Sequence, residues 1–374
     1  MNISNLKVAI VHYWLVNMRG GEKVIEALLD IFPQAEIFTL VYDKSKISDK
    51  INAQKIHTSF IQKIPFGVSK YQHFFPLFPF AVEQFDLSKF DLVISSDSGF
   101  SKMALTNSTQ KHITYCHTPM RYAWDKYFEY LNENNLGFIK KTAMRVFMHY
   151  VRLTDLASSF RVDGFIANSK TVAGRIAKHY RRDADVIYPP VDCAKYTVTD
   201  NSNDEIHQDP FYLFVGQLIP YKKPDIAVKA FNELGINLIV AGCGQMEKEL
   251  KKIAAPNIKF IGRAADDRLL NLYRNCEALI FPNEEDFGIV PVECMAAGKP
   301  VIALNCGGAS ETVIDGKTGV LFDNCDQHSL INAVKKFIAV KKNFKAGEIR
   351  NHALNFDTEI FKNKIKQYFE NLKP

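Results

Sequence analysis

The chain has 374 residues, 47% of them hydrophobic and 24% charged, with a formal net charge of +6. That length exceeds one ordinary core and suits two domains, and the composition excludes a disordered, collagen-like or coiled-coil chain. No apolar run reaches the roughly 18–20 residues that a membrane-spanning helix needs, and the seven cysteines form no Cys-x-x-Cys pair, which points to reduced thiols and away from disulfides or zinc.

Residues 7–12 read as the first strand. This apolar run is too short for a signal peptide, so a cytoplasmic protein is expected. Gly20-Gly21-Glu22 then opens a helix over 22–31. Glycine there lets backbone approach a ligand, and a helix N-terminus favours negative charge, although a plain structural turn fits equally well. The spacing is not Gly-x-Gly-x-x-Gly, so no dinucleotide fingerprint is present. A second strand follows at 36–41. Residues 59–90 mix Lys63, Lys70 and Lys89 with Phe66, Tyr71, Phe74, Phe75, Phe78 and Phe80. That mixture suits either an interfacial patch that meets lipid headgroups or a buried core.

Strands are expected at 91–95 and 111–116. His117 stands at the carboxyl end of the second of these, where an imidazole can hydrogen-bond a ligand hydroxyl or serve as a structural histidine. Arg121, Trp124 and Asp125 are placed on the same wall. A helix over 137–160 carries Lys140, Lys141, Arg145 and Arg152 beside Phe147, Met148 and Tyr150. A strand at 164–167 and a helix at 170–180 complete the first half. Residues 1–191 hold 24 Lys+Arg against 17 Asp+Glu, while the remainder is nearly balanced. A basic half suits an anionic partner or membrane surface as well as an ordinary solvated surface. Asp183-Ala184-Asp185 has no further carboxylate or histidine nearby, so it reads as solvated and no metal site is expected.

The prolines of Val-Ile-Tyr-Pro-Pro-Val-Asp at 186–192 stop regular structure and mark a join, followed by a polar loop at 197–209. Strands at 211–216, 237–241, 258–262, 278–282, 301–304 and 319–322 then alternate with helices at 225–234, 245–255, 267–275, 292–298 and 328–340. Strand–helix alternation occurring twice implies two doubly wound parallel sheets. The expected domains are 1–190 and 191–357, with a helix in 358–374 read as crossing back to the first. In such sheets ligands bind at loops beyond the carboxyl ends of the strands. One such loop carries Gln217, Lys222 and Lys223, where lysines can neutralise a diphosphate or simply stay solvated. Gly242-Cys243-Gly244 and Gly262-Arg263 are further strand-end turns, either against a base or plain. Last comes Glu285, then Phe287, Gly288, Ile289 and Val290, then Glu293. A strand ending in a carboxylate, a glycine turn and a helix start make a pocket for an anion and hydroxyls.

Five motifs occur in one order: Gly20-Gly21, the His117-Thr118-Pro119-Met120-Arg121-Tyr122 run, Tyr188-Pro189-Pro190-Val191-Asp192, the Lys222 loop, and Glu285 to Glu293. Together they resemble the family-4 retaining glycosyltransferases of GT-B fold, over nearly the full length. The His117–Tyr122 run is similar to that of bacterial O-antigen and polysaccharide mannosyltransferases. The resemblance implies an α/β protein with two Rossmann-like domains facing a central cleft. The first would bind acceptor and the second a nucleotide-sugar. It implies that Glu285 holds hydroxyls of the donor sugar, Glu293 holds the ribose, and Lys222 binds the diphosphate. Backbone amides at Phe287, Gly288 and Ile289 would line sugar and diphosphate, and His117 would reach the sugar from the first domain. The reaction implied is transfer of mannose from GDP-mannose to a polyprenyl-diphosphate-linked glycan in lipopolysaccharide O-antigen or surface-polysaccharide synthesis. It would take place peripherally on the inner, anionic face of the cytoplasmic membrane, with no metal, cofactor or nucleic-acid partner. A UDP-sugar donor and a non-catalytic glycan- or nucleotide-binding subunit remain open. The chain departs from the family pattern at Gln217, where most relatives have arginine, and Lys223 stands beside the gap in charge.

Overall fold

The structure, a computed structural model, describes residues 6–133, 137–196 and 209–372. The polar loop expected at 197–209 lies, up to 208, outside the described residues. The chain divides into two compact units, one of residues 1–190 with 361–374 and one of 191–360.

The first unit is built on a parallel sheet of seven strands: β1 (Val8–His12), β2 (Glu36–Thr39), β3 (Ile56–Thr58), β4 (Leu92–Asp97), β5 (Lys111–Cys116), β6 (Gly164–Ala167) and β7 (Asp185–Val186). Their order is β3-β2-β1-β4-β5-β6-β7. β1 and β4 are buried at every residue, the pattern of central strands covered on both faces. The order reverses between β1 and β4, and in this register His12 pairs with Ser96 and Asp97 with Cys116. The helix Gly20–Ile31 turns Val24, Ile25, Leu28 and Leu29 onto the sheet. The last helix, Thr358–Glu370, sends Phe361, Ile365 and Phe369 into the same core. Their spacing of four residues keeps all three on one helical face. Phe369 meets Phe32 edge-on at 5.5 Å, and Phe361 meets Tyr115 at 5.7 Å.

One feature of this unit differs from the sequence reading, and another decides between two readings it left open. β3 and β7 are short edge strands with too few apolar residues to register as runs. The aromatic stretch before β4 is mostly core. Phe78 is buried, while Tyr71, Phe74 and Phe75 pack partly against the core. Phe75 and Phe78 both meet Phe100 edge-on, at 4.9 and 5.6 Å. Only Phe66 and Phe80 of the six named aromatics stand exposed, so of the two readings open there the other four rings follow the core. Aromatic rings bury more than they leave out wherever edge-to-face partners are available.

A fully buried ion cluster ties the helix Phe138–Ser159 to the end of β4. The Lys102 ammonium bonds Asp97 Oδ2 at 3.2 Å, the Gly99 carbonyl at 3.1 Å and Asp155 Oδ1. Asp155 Oδ2 accepts from Trp124 Nε1 at 2.7 Å and from the Tyr180 hydroxyl at 2.9 Å. Burial alone would lower the Lys102 pKa, but Asp155 and Asp97 more than reverse this and raise it, so the lysine stays charged.

The second unit repeats the plan with β8 (Tyr212–Val215), β9 (Leu238–Ala241), β10 (Ile258–Gly262), β11 (Leu279–Phe281), β12 (Val301–Leu304) and β13 (Gly319–Phe322). The order β10-β9-β8-β11-β12-β13 is again parallel and again reverses after its first strand, between β8 and β11. The helices Pro224–Leu234 and Gln327–Val340 bury Phe231, Leu330, Val334 and Phe337 against this sheet. Arg350 draws the start of the unit inward by donating to the carbonyls of Cys193, Tyr196 and Ala296.

Candidate functional site

The switch point of the second sheet brings the loops after β8 and β11 side by side. On the first loop Lys222 ends a short 3-10 turn, and its ammonium forms an ion pair with the carboxylate of Glu285 on the second. Asn283 Nδ2 donates to the same Glu285 oxygen at 3.1 Å. Both charged side chains are about one-fifth exposed, so the pair is open to a ligand. Lys223 adopts a left-handed backbone, φ 53°, and hands the chain to Pro224, the first residue of the next helix. Gln217 is exposed in the same loop.

The Glu285 loop is shaped by glycine. Gly288, at φ +83°, is the N-cap of the helix Ile289–Ala296, which opens with no side-chain cap, so the first-turn amides of Ile289 and Val290 have no intrahelical acceptor. Opposite it, Gly308 N donates to the Glu285 carbonyl at 2.8 Å, and a Cβ at Gly308 would stand 2.1 Å from the Phe287 carbonyl. Phe287 is buried, its ring 5.7 Å from that of Phe356. Glu293, on the same helix as those amides, accepts from the Tyr273 hydroxyl at 2.9 Å and also from Tyr196. Burial pushes its carboxyl above the usual range, and the two phenols work against that shift.

Gly242 and Gly244 turn out to clamp the first loop. A Cβ at Gly242 would lie 1.8 Å from the Gly216 carbonyl, and one at Gly244 2.4 Å from that of Leu218. Leu218 N also donates to the Cys243 carbonyl at 3.0 Å. Arg263 is exposed beyond Gly262, whose carbonyl accepts from Gly242 N at 2.8 Å. Two exposed cysteines sit here: Cys243 in the clamp, and Cys325, whose Sγ contacts the Pro282 carbonyl at 3.4 Å.

In the first unit, His12 ends β1 and its Nδ1 is 3.1 Å from Ser96 Oγ. The same Ser96 oxygen is 2.8 Å from Nε2 of His117. On its other side His12 Nε2 faces Glu22 Oε1 at 3.5 Å. Glu22 Oε2 accepts from Arg19 N at 2.9 Å, so the carboxylate three residues on caps the amide at the helix start. Burial pushes His117 down to about 4. Gly21 has an internal role: a Cβ there would stand 2.5 Å from the Tyr13 hydroxyl and 3.2 Å from the His12 ring. Trp124 stacks on His179 at 4.9 Å, and Asp125 pairs with Arg175 at 3.0 Å and His179 at 2.7 Å, so both brace the helix Lys170–Tyr180. Arg121 is half-buried in the preceding turn. Asp183 and Asp185 are exposed, and among the described residues no group of three His, Cys, Asp or Glu side chains could hold a metal ion.

Sequence reasoning missed Asn283, Tyr196 and Tyr273, which hold the two glutamates, and Gly307-Gly308, which shapes the loop between them. The glycine pair carried a signal, since it follows a strand as Gly20-Gly21 does. The tyrosines carried none. Ser96 was overlooked, and His12 and Glu22 were placed at a strand end and a helix start but given no role in the site.

Two parallel sheets with this strand order and a basic–acidic pair at the second switch point define the GT-B class of glycosyltransferase. Residues 19–195 match the family model "Glycosyltransferase Family 4", and residues 197–351 match "Glycosyl transferases group 1". The chain belongs to the family-4 glycosyltransferases. An uncharacterized glycosyltransferase of Methanocaldococcus jannaschii is 32% identical over 181 residues, which is 47% of this chain and 50% of that one. A D-inositol 3-phosphate glycosyltransferase of Rhodococcus jostii is 29% identical over 225 residues, 53% and 50% of the two chains. The chain thus spans about half the length of the curated relatives it matches. A crystal structure of HepE from Anabaena, in complex with UDP, is similar in fold, with TM-score 0.74 at 17% identity, covering 98% of this chain and 100% of that one.

Proposed function

We propose that the chain is a retaining glycosyltransferase that takes a nucleotide-sugar donor, most specifically GDP-mannose, and transfers the hexose to a hydroxyl of a polyprenyl-diphosphate-linked glycan. The observation that carries this reading is the Lys222–Glu285 pair beside an uncapped helix N-terminus, with Glu293 on that same helix. The donor diphosphate takes over Lys222 and the amides of Ile289 and Val290, which stabilise charge growing on the leaving group. Glu285, released from the lysine, holds sugar hydroxyls and steadies an oxocarbenium-like sugar. Glu293 accepts from the ribose diol. The departing diphosphate oxygen takes the acceptor proton, so no protein base is assigned. Lys223 contributes charge where Gln217 has none. The mannose reading is supported by the His117–Tyr122 run, and the competing UDP-sugar reading by the UDP bound to HepE.

Calorimetric titration of GDP, UDP and ADP, followed by a donor screen with product analysis, separates the two. Glu285→Ala is expected to lower turnover by roughly 10²-fold or more with the thermal midpoint unchanged. Near-normal transfer by that variant would sink the assignment, and absence of transfer from any donor would favour a binding subunit.

The acceptor reading calls for a membrane surface, and the helix Phe138–Ser159 supplies the support for one. Phe138 and Ile139 are 84% and 82% exposed, and Val146, Tyr150 and Leu153 continue an outward apolar stripe at helical spacing. Lys140 and Arg145 are exposed on the same helix. An amphipathic helix with apolar and basic residues outward suits the headgroup layer of an anionic inner membrane face. The full chain is expected to co-sediment with phosphatidylglycerol-containing vesicles at low salt, and Ile139→Asp with Val146→Asp is expected to abolish this. Failure of the unaltered protein to bind would remove the membrane claim.

A further inference from the structure

We propose that Glu22, His12 and Ser96 form a positioning relay that fixes the tautomer of His117, placing its proton on Nε2 and leaving Nδ1 as a hydrogen-bond acceptor for a substrate hydroxyl. The inference rests on the reading above only in its last step, that His117 meets substrate.

The topology assembles the chain of contacts. His12 is the last residue of β1, Ser96 is its register partner on β4, and Ser96 in turn pairs with Tyr115 on β5, two residues before His117. Glu22 lies on the first turn of the helix that follows β1. Three strand ends and one helix start therefore meet at the switch point.

The direction of the relay follows from its charged end. Burial by itself would raise the Glu22 carboxyl, but His12 and the backbone N–H groups of Glu22 and Arg19 outweigh it and hold the group below the usual range. Glu22 is thus an anion at a helix N-terminus, where the dipole favours it. The relay takes His12 as a neutral imidazole: a carboxylate 3.5 Å from its Nε2, an electrostatic contact longer than a hydrogen bond, then favours the tautomer with its proton on that nitrogen. The other neutral tautomer aims a lone pair at a negative charge. Nδ1 of His12 is then an acceptor and takes the Ser96 hydroxyl proton across 3.1 Å. The Ser96 oxygen, its proton committed, accepts N–H from His117 Nε2 across 2.8 Å. His117, neutral well below pH 7, keeps its lone pair on Nδ1, for which the described residues give no hydrogen bond. Tyr115 braces the ring edge-on at 5.3 Å and Tyr13 at 6.4 Å. Asp97 and Arg19 are the other charged groups facing this assembly.

The neighbouring serine offers an internal contrast. Ser95 points to the opposite face of the sheet and meets His112 Nε2 at 2.9 Å. Its hydroxyl also meets Thr114, and His112 Nδ1 is buried without a partner. Asp163 meets His112 at its backbone N–H, at 2.7 Å, and the described residues place no carboxylate on either ring nitrogen to give that set a direction.

The test begins without any ligand. Nitrogen–proton correlation spectra of the full-length, ¹⁵N-labelled protein at pH 7 identify histidine tautomers directly. His12 and His117 are both expected as Nε2–H. Ser96→Ala is expected to convert His117 to a tautomer mixture while leaving His12 as Nε2–H, and Ser96→Thr, which keeps the hydroxyl, to restore it. A doubly protonated His12 or an Nδ1–H signal for His117 in the unaltered protein, or a tautomer that ignores Ser96→Ala, overturns the relay whatever the donor assay gives. With the preferred donor, Ser96→Ala is expected to lower kcat/KM about 10-fold, the size of one lost hydrogen bond, with recovery in Ser96→Thr. A changed tautomer with unchanged kcat/KM overturns the substrate-facing role of Nδ1. Thermal midpoints of the variants separate these results from loss of fold.

Discussion

At the scale of single residues, the ligand-free site satisfies itself. Lys222 and Glu285 neutralise one another, so on the proposed reading each stands in for the ligand group the other would meet. A donor that brings both diphosphate and sugar exchanges one set of partners for another. A bare nucleoside diphosphate takes only the lysine and leaves Glu285 half-buried and repelled. Glu285→Gln is therefore expected to bind the bare diphosphate more tightly, by up to about 10-fold, while losing transfer. Calorimetry on the variant checks this, and weaker binding than the parent would contradict it. The acidic and basic members of the site were legible in the sequence because strand–helix alternation fixes which residues fall at carboxyl ends. Their holders were not all legible. Asn283 stands two residues from Glu285, but Tyr273 reaches Glu293 from a different helix 20 residues upstream, and only packing puts it there.

At the scale of elements, glycines without side-chain room decide how the loops close. Gly308 has an ordinary backbone, yet any Cβ it carried would press on the Phe287 carbonyl. Gly308→Ala is expected to cost roughly 2 kcal/mol or more and to weaken donor binding, because the strain falls on the Glu285 loop. Gly347, inside the helix Ala346–Ala353, is the opposite case: a Cβ there would meet nothing within 4 Å. Gly347→Ala is expected to stabilise by about 0.5 kcal/mol without touching affinity. Chemical denaturation paired with calorimetry distinguishes the two. Interior strands such as β1, β9 and β12 declared themselves as near-continuous apolar runs. β3 and β7 did not, because an edge strand is held by backbone pairing with a neighbour that sequence does not name. The aromatics near β4 were left open for a related reason: composition fits both a core and an interface, and Phe100 and Phe147 settle which rings turn inward.

At the scale of the whole molecule, one strand order used twice explains why the class was readable from the alternation of runs alone. The first unit also carries a predictable acid sensitivity. Burial pushes both His112 and His117 down to about 4. In the unfolded chain each returns to about 6.5. Between those values the unfolded state binds more protons, so stability is intact above about pH 6.5 and falls as pH drops toward 4, by up to about 1.4 kcal/mol per unit per histidine. Both tryptophans, Trp14 and Trp124, belong to this unit, so fluorescence-detected urea unfolding at pH 7.5 and 5.5 reports on it alone. The midpoint is expected to fall at the lower pH, and less so in His112→Asn. A pH-independent midpoint would contradict the burial argument. The cysteines give the molecule another property. Of seven thiols, the two exposed ones flank the proposed nucleotide loops, Cys243 in the clamp on the Lys222 side and Cys325 against Pro282 on the Glu285 side. Burial lifts the Cys325 thiol above its ordinary range, which slows its alkylation near neutral pH. The protein thus carries native footprinting handles at the proposed nucleotide loops, and thiol protection on adding a nucleoside diphosphate would follow occupancy there with no engineered label.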